Sequence, residues 1–322
     1  MNSTSAMAEL LRKSETIAVA GHLNPDGDCL GAVLGLGVTL RAMGKQVDML
    51  QTDPVPLHLS YLPHLQDMKP VDPEKAYDLF VLLDLGDVPR MGAAHMAMEN
   101  SASSLCIDHH QTNGLICDQN WVRPDASSTC EMVAELLLHE GFSVPSDAAT
   151  ALYAGLITDS NRFLYDTARA RAMRIGAELI DAGADVDLVY YHEFQTINAN
   201  LFAFQGYQVE HAEYLANGRI VLANATQKLL AKYKLEMPEA ESAVDVLKNM
   251  DGVEIAVLVK DIAPGTQKIS LRSKRYFDVS EIACRFGGGG HKKAAGCTLS
   301  MSNEQALRTI REALLDIDWS AK

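Results

Sequence analysis

The chain has 322 residues, of which 48% are hydrophobic and 22% are charged, and its formal net charge is -14. This composition is typical of a folded protein long enough for two domains with separate cores, and it argues against extensive disorder. The negative charge disfavours a protein that holds long duplex nucleic acid on a broad basic face, whereas a short anionic substrate requires only local positive charge.

Neither the N-terminus nor the apolar runs indicate a targeting or membrane segment. Residues 1–12 lack a basic region followed by a long apolar core. The longest conspicuous uncharged run, residues 29–40, is well short of the roughly 20 residues that a transmembrane helix needs. The six cysteines form no Cys-x2-Cys pair, which argues against a zinc ribbon or a disulfide scaffold. We therefore expect a cytoplasmic protein with reduced cysteines and no membrane partner.

The first part of the chain alternates short apolar runs with helical patterns. The runs predict strands at residues 16–20, 45–50, 78–83 and 104–107, and the helical patterns lie at 30–43, 129–140, 147–156 and 168–182. Periodicity alone allows residues 147–156 to be either a helix or a strand. Ser128 and Glu131 predict a capping box at the start of the second helix. This alternation predicts an α/β domain with a mostly parallel sheet flanked by helices.

The later part of the chain has a different pattern. Hairpins are predicted at residues 210–224 and 253–272, followed by a helix at 278–285, a glycine run at 287–290, a strand at 295–299 and a helix at 303–317. These elements predict a smaller α+β domain. We place the two domains at residues 1–190 and 210–322, joined by a helical linker at 191–209.

The loop that follows the first predicted strand carries His22, Asp26 and Asp28. A loop at the carboxyl end of a parallel strand is where open α/β sheets bind ligands. Two aspartates one residue apart can reach two neighbouring cations, and carboxylates with an imidazole suit Mn²⁺ or Mg²⁺. The same loop is equally consistent with aspartates that only cap the next helix.

Three later segments place further metal-ligand residue types at the ends of predicted elements. Asp84 follows one strand, where a single carboxylate could bridge two ions. Asp108, His109 and His110 end the next strand, so that one imidazole could bind metal while Asp108 fixes its tautomer. Asp159 supplies another carboxylate. Together these segments favour a metal site over isolated turn residues.

Four segments resemble, in order, the four motifs of the DHH phosphoesterase family: His22 to Asp28, Asp84, Asp108 to His110, and Asp159. Residues 285–291 and 294–296 resemble the DHH-associated C-terminal domain of the same family. In size and domain order the chain is similar to the nano-RNase and phosphoadenosine-phosphate phosphatase branch. The resemblance implies a metal-binding catalytic domain at residues 1–190, a substrate-binding domain at 210–322 and an active site in the cleft between them.

The resemblance also implies two Mn²⁺ ions, with Mg²⁺ or Co²⁺ as alternatives, and a hydroxide between them that attacks phosphorus. Four carboxylates close together would repel one another without cations, which agrees with this implication. The implied ligands are His22 and Asp26 for one ion, Asp28, His109 and Asp159 for the other, and Asp84 for both.

Several further residues are predicted to contact substrate. His110 and Arg162 would contact the phosphate during catalysis, although Arg162 could instead form a salt bridge, and Arg90 is a weaker candidate. Residues 268–293 hold seven lysines and arginines against two acidic residues. A flexible loop with solvated lysines would explain that segment equally simply. The resemblance assigns the nucleotide or terminal phosphate to Arg272, Arg285, Gly288, Gly289, Gly290 and His291.

The expected reaction is hydrolysis of very short oligonucleotides to 5′-mononucleotides, removal of the 3′-phosphate from adenosine 3′,5′-bisphosphate, or both. The alternatives are a phosphodiesterase for linear dinucleotides, a manganese pyrophosphatase and a non-catalytic nucleotide sensor. No long duplex partner is expected, and the sequence leaves a homodimer open.

Overall fold

The computed structural model describes residues 4–164 and 169–319. The chain forms two compact units, which meet in sequence between Thr196 and Ile197. No helix in the described residues is both long and apolar enough to cross a membrane.

The first unit contains six strands and seven α-helices among its described residues. Its strands are β1 (Thr16–Ala20), β2 (Gln46–Gln51), β3 (Lys69–Pro70), β4 (Leu79–Leu83), β5 (Ser104–Asp108) and β6 (Gln119–Val122). Its helices are α1 (Thr4–Lys13), α2 (Gly27–Ala42), α3 (Ala94–Asn100), α4 (Thr129–His139), α5 (Ser146–Asp159), α6 (Arg169–Asp181) and α7 (Val186–Tyr190). Short 3-10 turns lie at Leu57–Leu59, Leu65–Asp67 and Val88–Met91, and a π-helical turn lies at Tyr191–Gln195.

The six strands form one parallel sheet in the order β3-β2-β1-β4-β5-β6. Alternate residues of β4 pack into different apolar clusters, so both faces of the strand are covered. Burial on both faces explains why the strands are continuous apolar runs. The strand order reverses between β1 and β4, and ligands bind beyond the carboxyl ends of strands at such a point. The predicted parallel sheet is confirmed.

Helix α2 is the central helix of this unit. It is buried from Gly27 to Leu40, because it is apolar on all sides. A side chain at Gly31 would place its Cβ 2.4 Å from the carbonyl oxygen of Ala151 in α5. The backbones of α2 and α5 therefore touch, which holds the start of α2 beside the end of α5. Residues 146–159 are helical, which settles the ambiguous prediction for 147–156.

Two partly exposed lysines and a tyrosine surround the buried carboxylate of Asp48 on β2. Its carboxylate accepts hydrogen bonds from Lys69 and Lys75, each 2.6 Å away, and from the hydroxyl of Tyr77 at 3.0 Å. Burial would raise the pKa of Asp48, but these bonds lower it to about 2. The charged carboxylate therefore stabilises the fold above pH 4.

We expect Asp48→Asn to lower the free energy of unfolding by about 1–2 kcal/mol at pH 7, since the two lysines are partly solvated. Because the pKa is depressed in the folded state, the difference from the natural protein should shrink as the pH falls from 4 towards 2. Urea unfolding at pH 7 and at pH 3 measures the difference in the free energy of unfolding between the variant and the natural protein. An equal difference at both pH values would contradict this account.

The second unit contains a mixed sheet covered by helices on both faces. Its strands are β7 (Glu213–Leu215), β8 (Ile220–Ala225), β9 (Ile255–Ala263), β10 (Thr266–Ser273), β11 (Gly289–His291) and β12 (Ala294–Leu299). Its helices are α8 (Ala199–His211), α9 (Gln227–Tyr233), α10 (Met237–Ala240), α11 (Ala243–Asn249), α12 (Ser280–Arg285) and α13 (Asn303–Leu315). The strand order is β11-β12-β10-β9-β8-β7, with only β8 and β9 parallel among the described pairs. Both predicted hairpins are present.

Two features of the second unit concern the predicted linker and the glycine run. Most of the predicted linker at 191–209 belongs to this unit, because α8 buries Phe204 fully against β8 and β9. The glycine run is not a free loop, since β11 pairs with β12. A Cβ at Gly288 would lie 2.2 Å from the carbonyl oxygen of Gly296. Glycine at position 288 therefore lets the chain approach β12 closely.

Candidate metal centre

The loop after β1 places three polar side chains at the carboxyl edge of the first sheet. His22 is 1% exposed and Asp28 is 2% exposed, although both are polar. Asp26 is the N-cap of α2, and its Oδ1 accepts a 3.0 Å hydrogen bond from the backbone N–H of Cys29. Asp26 therefore caps the helix as one sequence interpretation proposed, while its Oδ2 lies 3.9 Å from Nε2 of His22.

Asp84 lies among three histidines, His22, His109 and His110. It follows β4 directly, is 2% exposed and has a left-handed backbone with φ of 58°. Its Oδ2 lies 3.4 Å from Nε2 of His22, and its Oδ1 lies 3.6 Å from Nε2 of His109. The two oxygens of one buried carboxylate thus face two different imidazoles.

Asp28 and Asp159 complete the group around His109. Nε2 of His109 lies 3.8 Å from Oδ2 of Asp28 and 3.5 Å from Oδ2 of Asp159. The side chain of Asp159, at the end of α5, is 35% exposed. Potential ligand atoms lie within 4.8 Å of one another in three groups of described residues: His22, Asp26 and Asp84; Asp84, His109 and His110; and Asp28, His109 and Asp159. Asp84 and His109 each belong to two of these groups.

The charges of this cluster fit divalent cations. Burial, followed by the charge of Asp84, raises the pKa of both Asp28 and Asp159 well above the usual value. Burial would also raise the pKa of Asp84, but the hydrogen bond with His22 and the neighbouring imidazoles lower it. Carboxylates that raise one another's pKa repel, and cations between them would remove that repulsion. Oxygen donors with imidazole nitrogen suit Mn²⁺ or Mg²⁺.

Asp108 orients His110 and not His109. Asp108 is fully buried, and its Oδ1 is bonded to Nδ1 of His110 at 2.8 Å, while Asn113 donates to its Oδ2 at 2.7 Å. Burial lowers the pKa of His110, but the bond to Asp108 and the charges of Asp84, Asp108 and Asp159 together outweigh it and raise that pKa to about 9. Within the described contacts, the imidazole that Asp108 fixes is therefore that of the second histidine, His110.

The two candidate arginines of the first unit differ in position. A terminal nitrogen of Arg90 lies 2.6 Å from Nδ1 of His22 and donates to the carbonyl oxygen of Leu23 at 3.3 Å. Arg90 is thus adjacent to a candidate metal ligand. Arg162 is exposed, and its guanidinium lies 5.0 Å from the ring centre of Phe194. The described contacts do not bring Arg162 to the acidic cluster.

The candidate substrate residues of the second unit lie on β10, α12 and β11. Arg272 is 21% exposed and lies 3.9 Å from Glu241 and 3.7 Å from Asp245. Arg285 is exposed in the last turn of α12. Gly289 and Gly290 form part of β11, whereas the side chain of His291 lies outside the part of the chain that the structure describes.

Both units match known family models. Residues 16–156 match the model described as "DHH family, N-terminal domain", and residues 222–317 match the DHHA1 domain model. The chain combines a DHH family N-terminal domain with a DHHA1 domain. The expected family resemblance is confirmed, and the candidate metal cluster lies in the unit that contains the DHH domain.

Curated relatives align over almost the whole chain, across both the DHH domain and the DHHA1 domain. The "Probable bifunctional oligoribonuclease and PAP phosphatase NrnA" of Streptococcus mutans is 28% identical over 298 residues, covering 92% of this chain and 93% of the relative. The "Bifunctional oligoribonuclease and PAP phosphatase NrnA" of Thermus thermophilus is 28% identical over 316 residues, covering 96% and 93%.

A solved structure has a similar fold over nearly the whole chain. An exopolyphosphatase-related protein from Bacteroides fragilis superimposes with a TM-score of 0.89 at 24% identity. The match covers 97% of this chain and 95% of that one.

One residue beside the metal cluster escaped the sequence analysis. The hydroxyl of Thr129 in the DHH unit donates to Oδ1 of Asp84 at 3.0 Å. The predicted capping box at Ser128 marked the correct helix start, but nothing in the sequence pattern indicated that this start faces Asp84.

Proposed function

We propose that this chain is a metal-dependent phosphoesterase that hydrolyses very short oligonucleotides to 5′-mononucleotides and removes the 3′-phosphate of adenosine 3′,5′-bisphosphate. The observation that carries the proposal is the shared position of Asp84 between two sets of carboxylates and imidazoles. Paired cation sites of this composition serve phosphoryl chemistry. The curated relatives, whose printed names give both activities, support the choice of substrates.

We propose two Mn²⁺ ions as the cofactor, with Mg²⁺ or Co²⁺ as alternatives. When bound, such ions supply positive charge to phosphoryl oxygens and lower the pKa of water to a range useful for hydrolysis. The residues proposed to hold them are His22 and Asp26 in one set, Asp28, His109 and Asp159 in the other, and Asp84 in both.

His110 is the residue that we propose to contact the scissile phosphate. Its imidazole is oriented by Asp108 and carries a raised pKa, so it is positively charged at neutral pH before metal binds. A fixed cation beside the cluster can donate a hydrogen bond to a phosphoryl oxygen and offset charge that develops there. Arg90 supports the site from the other side, beside His22.

The second unit is proposed to bind the rest of the substrate. Arg272 and Arg285 offer guanidinium groups, which recognise phosphate well. Gly288, Gly289 and Gly290 have no side chains and are proposed to let a phosphate approach the backbone, and His291 follows in sequence.

A comparison of substrates tests the proposal. We expect the purified protein with Mn²⁺ to release mononucleotides from 5′-labelled di- to pentanucleotides and phosphate from adenosine 3′,5′-bisphosphate. Pyrophosphate, a linear dinucleotide derived from a cyclic one, and long duplex DNA should be assayed beside them under the same conditions. Turnover of pyrophosphate alone would favour a pyrophosphatase, and no turnover of any substrate would contradict the enzyme proposal.

A further inference from the structure

The N-terminus of α4 contacts two of the proposed metal-binding carboxylates. The backbone N–H of Thr129 donates to Oδ2 of Asp28 at 2.7 Å, and the N–H of Cys130 donates to Oδ1 at 2.8 Å. The hydroxyl of Thr129 donates to Oδ1 of Asp84. Thr129 and Cys130 are fully buried. One helix end therefore fixes the orientation of both carboxylates.

The same helix end is itself held firmly. The hydroxyl of Ser128 accepts a 2.9 Å hydrogen bond from the N–H of Glu131, as the predicted cap requires. The Glu131 carboxylate does not complete a capping box. It accepts instead from the N–H and hydroxyl of Ser127 at 2.8 and 2.6 Å, and Arg123 and Arg171 pair with it. These buried bonds leave Thr129 little freedom to turn away.

The contacts of Thr129 favour one set of proposed ligands over the other. The hydroxyl reaches Oδ1 of Asp84, which is the oxygen that faces His109 and His110, whereas Oδ2 faces His22. The backbone of Thr129 holds Asp28, which also faces His109. Within the described contacts, Thr129 touches neither His22 nor Asp26.

We infer that Thr129 is a positioning residue that sets the affinity for the ion held by Asp28, His109 and Asp159, with little influence on the ion held beside His22. The inference rests on the proposed function, because it requires the two metal sites. Hydrogen-bond partners of metal ligands typically change metal affinity by about 10–100-fold, since they fix the ligand's direction. Valine is nearly the same size as threonine and removes only the hydroxyl donor.

The experiment separates the two sites before Thr129 is changed. In a His22→Ala background the remaining tight site is the one near His109, and in a His109→Ala background it is the one near His22. Mn²⁺ alone is titrated calorimetrically into each background with Thr129, Thr129→Val or Thr129→Ser. We expect Thr129→Val to weaken binding about 10-fold or more in the His22→Ala background and less than about 3-fold in the other.

Thr129→Ser keeps the hydroxyl and should restore most of the affinity, which a purely packing role would not predict. Equal weakening in both backgrounds, or no weakening in either, would overturn the inference while leaving the proposed function intact. A natural protein that binds none of Mn²⁺, Mg²⁺ and Co²⁺ would overturn both. Circular dichroism verifies the fold of each variant, and Thr129→Ala replaces Thr129→Val if the valine variant does not fold.

Discussion

Asp84→Asn should lower the rate of dinucleotide hydrolysis by about a thousandfold or more, which corresponds to roughly 4 kcal/mol of lost transition-state stabilisation. Asp84 is the one described residue common to both candidate ligand sets around His22 and His109, so removing its charge weakens both. Asparagine tolerates the left-handed backbone at this position, and the change therefore tests the charge and not the backbone. Hydrolysis rates with Mn²⁺ and Mn²⁺ titration measure the two effects.

Asp87→Asn is the matched control for this change. Asp87 lies three residues further along the same loop, is exposed and makes no side-chain capping bond. Its loss should change the rate less than twofold. If Asp84→Asn kept full activity, Asp84 could not be a ligand shared by two ions. This conclusion would hold even if the protein hydrolysed the proposed substrates.

Gly31→Ala should lower the free energy of unfolding by about 1–3 kcal/mol or more, as overpacking does in tightly packed interiors. The added methyl group would lie 2.4 Å from a carbonyl oxygen of α5 and 2.9 Å from the sulfur of Cys130. To relieve the overlap between the added methyl group and this carbonyl oxygen, α2 must move away from α5. Because α2 carries Asp28 and α5 ends at Asp159, this movement should also weaken Mn²⁺ binding.

Gly206→Ala is the control for the glycine change. Gly206 lies within helix α8, and a Cβ there would meet nothing within 4 Å. Alanine is the better helix former by up to about 1 kcal/mol, so this variant should be as stable as the natural protein or slightly more stable. Urea unfolding and Mn²⁺ titration of both variants test the prediction. Equal effects of the two substitutions would mean that contact with α5 is not the cause.

The general location of the metal cluster could be predicted because parallel strands bring their carboxyl ends to one edge. Asp84 and His109 each follow a short apolar run, and that pattern is visible without a structure. The structure brings the six residues close together, and their division between two ions stays a prediction. Their binding of metal stays a prediction that the titrations above test.

Contacts between distant parts of the chain could not be predicted in the same way. Thr129 and Asp28 are 101 residues apart, and no local pattern connects them. Asp108 has two neighbouring histidines, and only the geometry of the turn after β5 determines that His110 is its partner.

Three helices and one strand of the second unit were not predicted from the sequence, because local sequence carries little information about them. Helices α9, α10 and α11 have seven, four and seven residues. Helices this short depend on tertiary packing more than on their own propensity, so their sequences carry a weak signal. The strand at Gly289–His291 was missed because glycine rarely favours strands, and here its use is to let two backbones approach.

The proposed metal ligands come from four stretches of the first unit that are far apart in sequence, from His22 to Asp159. An unfolded chain scatters these side chains, so ions that bind the cluster favour the folded state of this unit. At a hundredfold excess over its dissociation constant, one bound ion adds about 2.7 kcal/mol to the free energy of unfolding. The second unit supplies none of these ligands. Metal shortage would therefore reduce not only the reaction rate but also the lifetime of the catalytic unit against proteolysis.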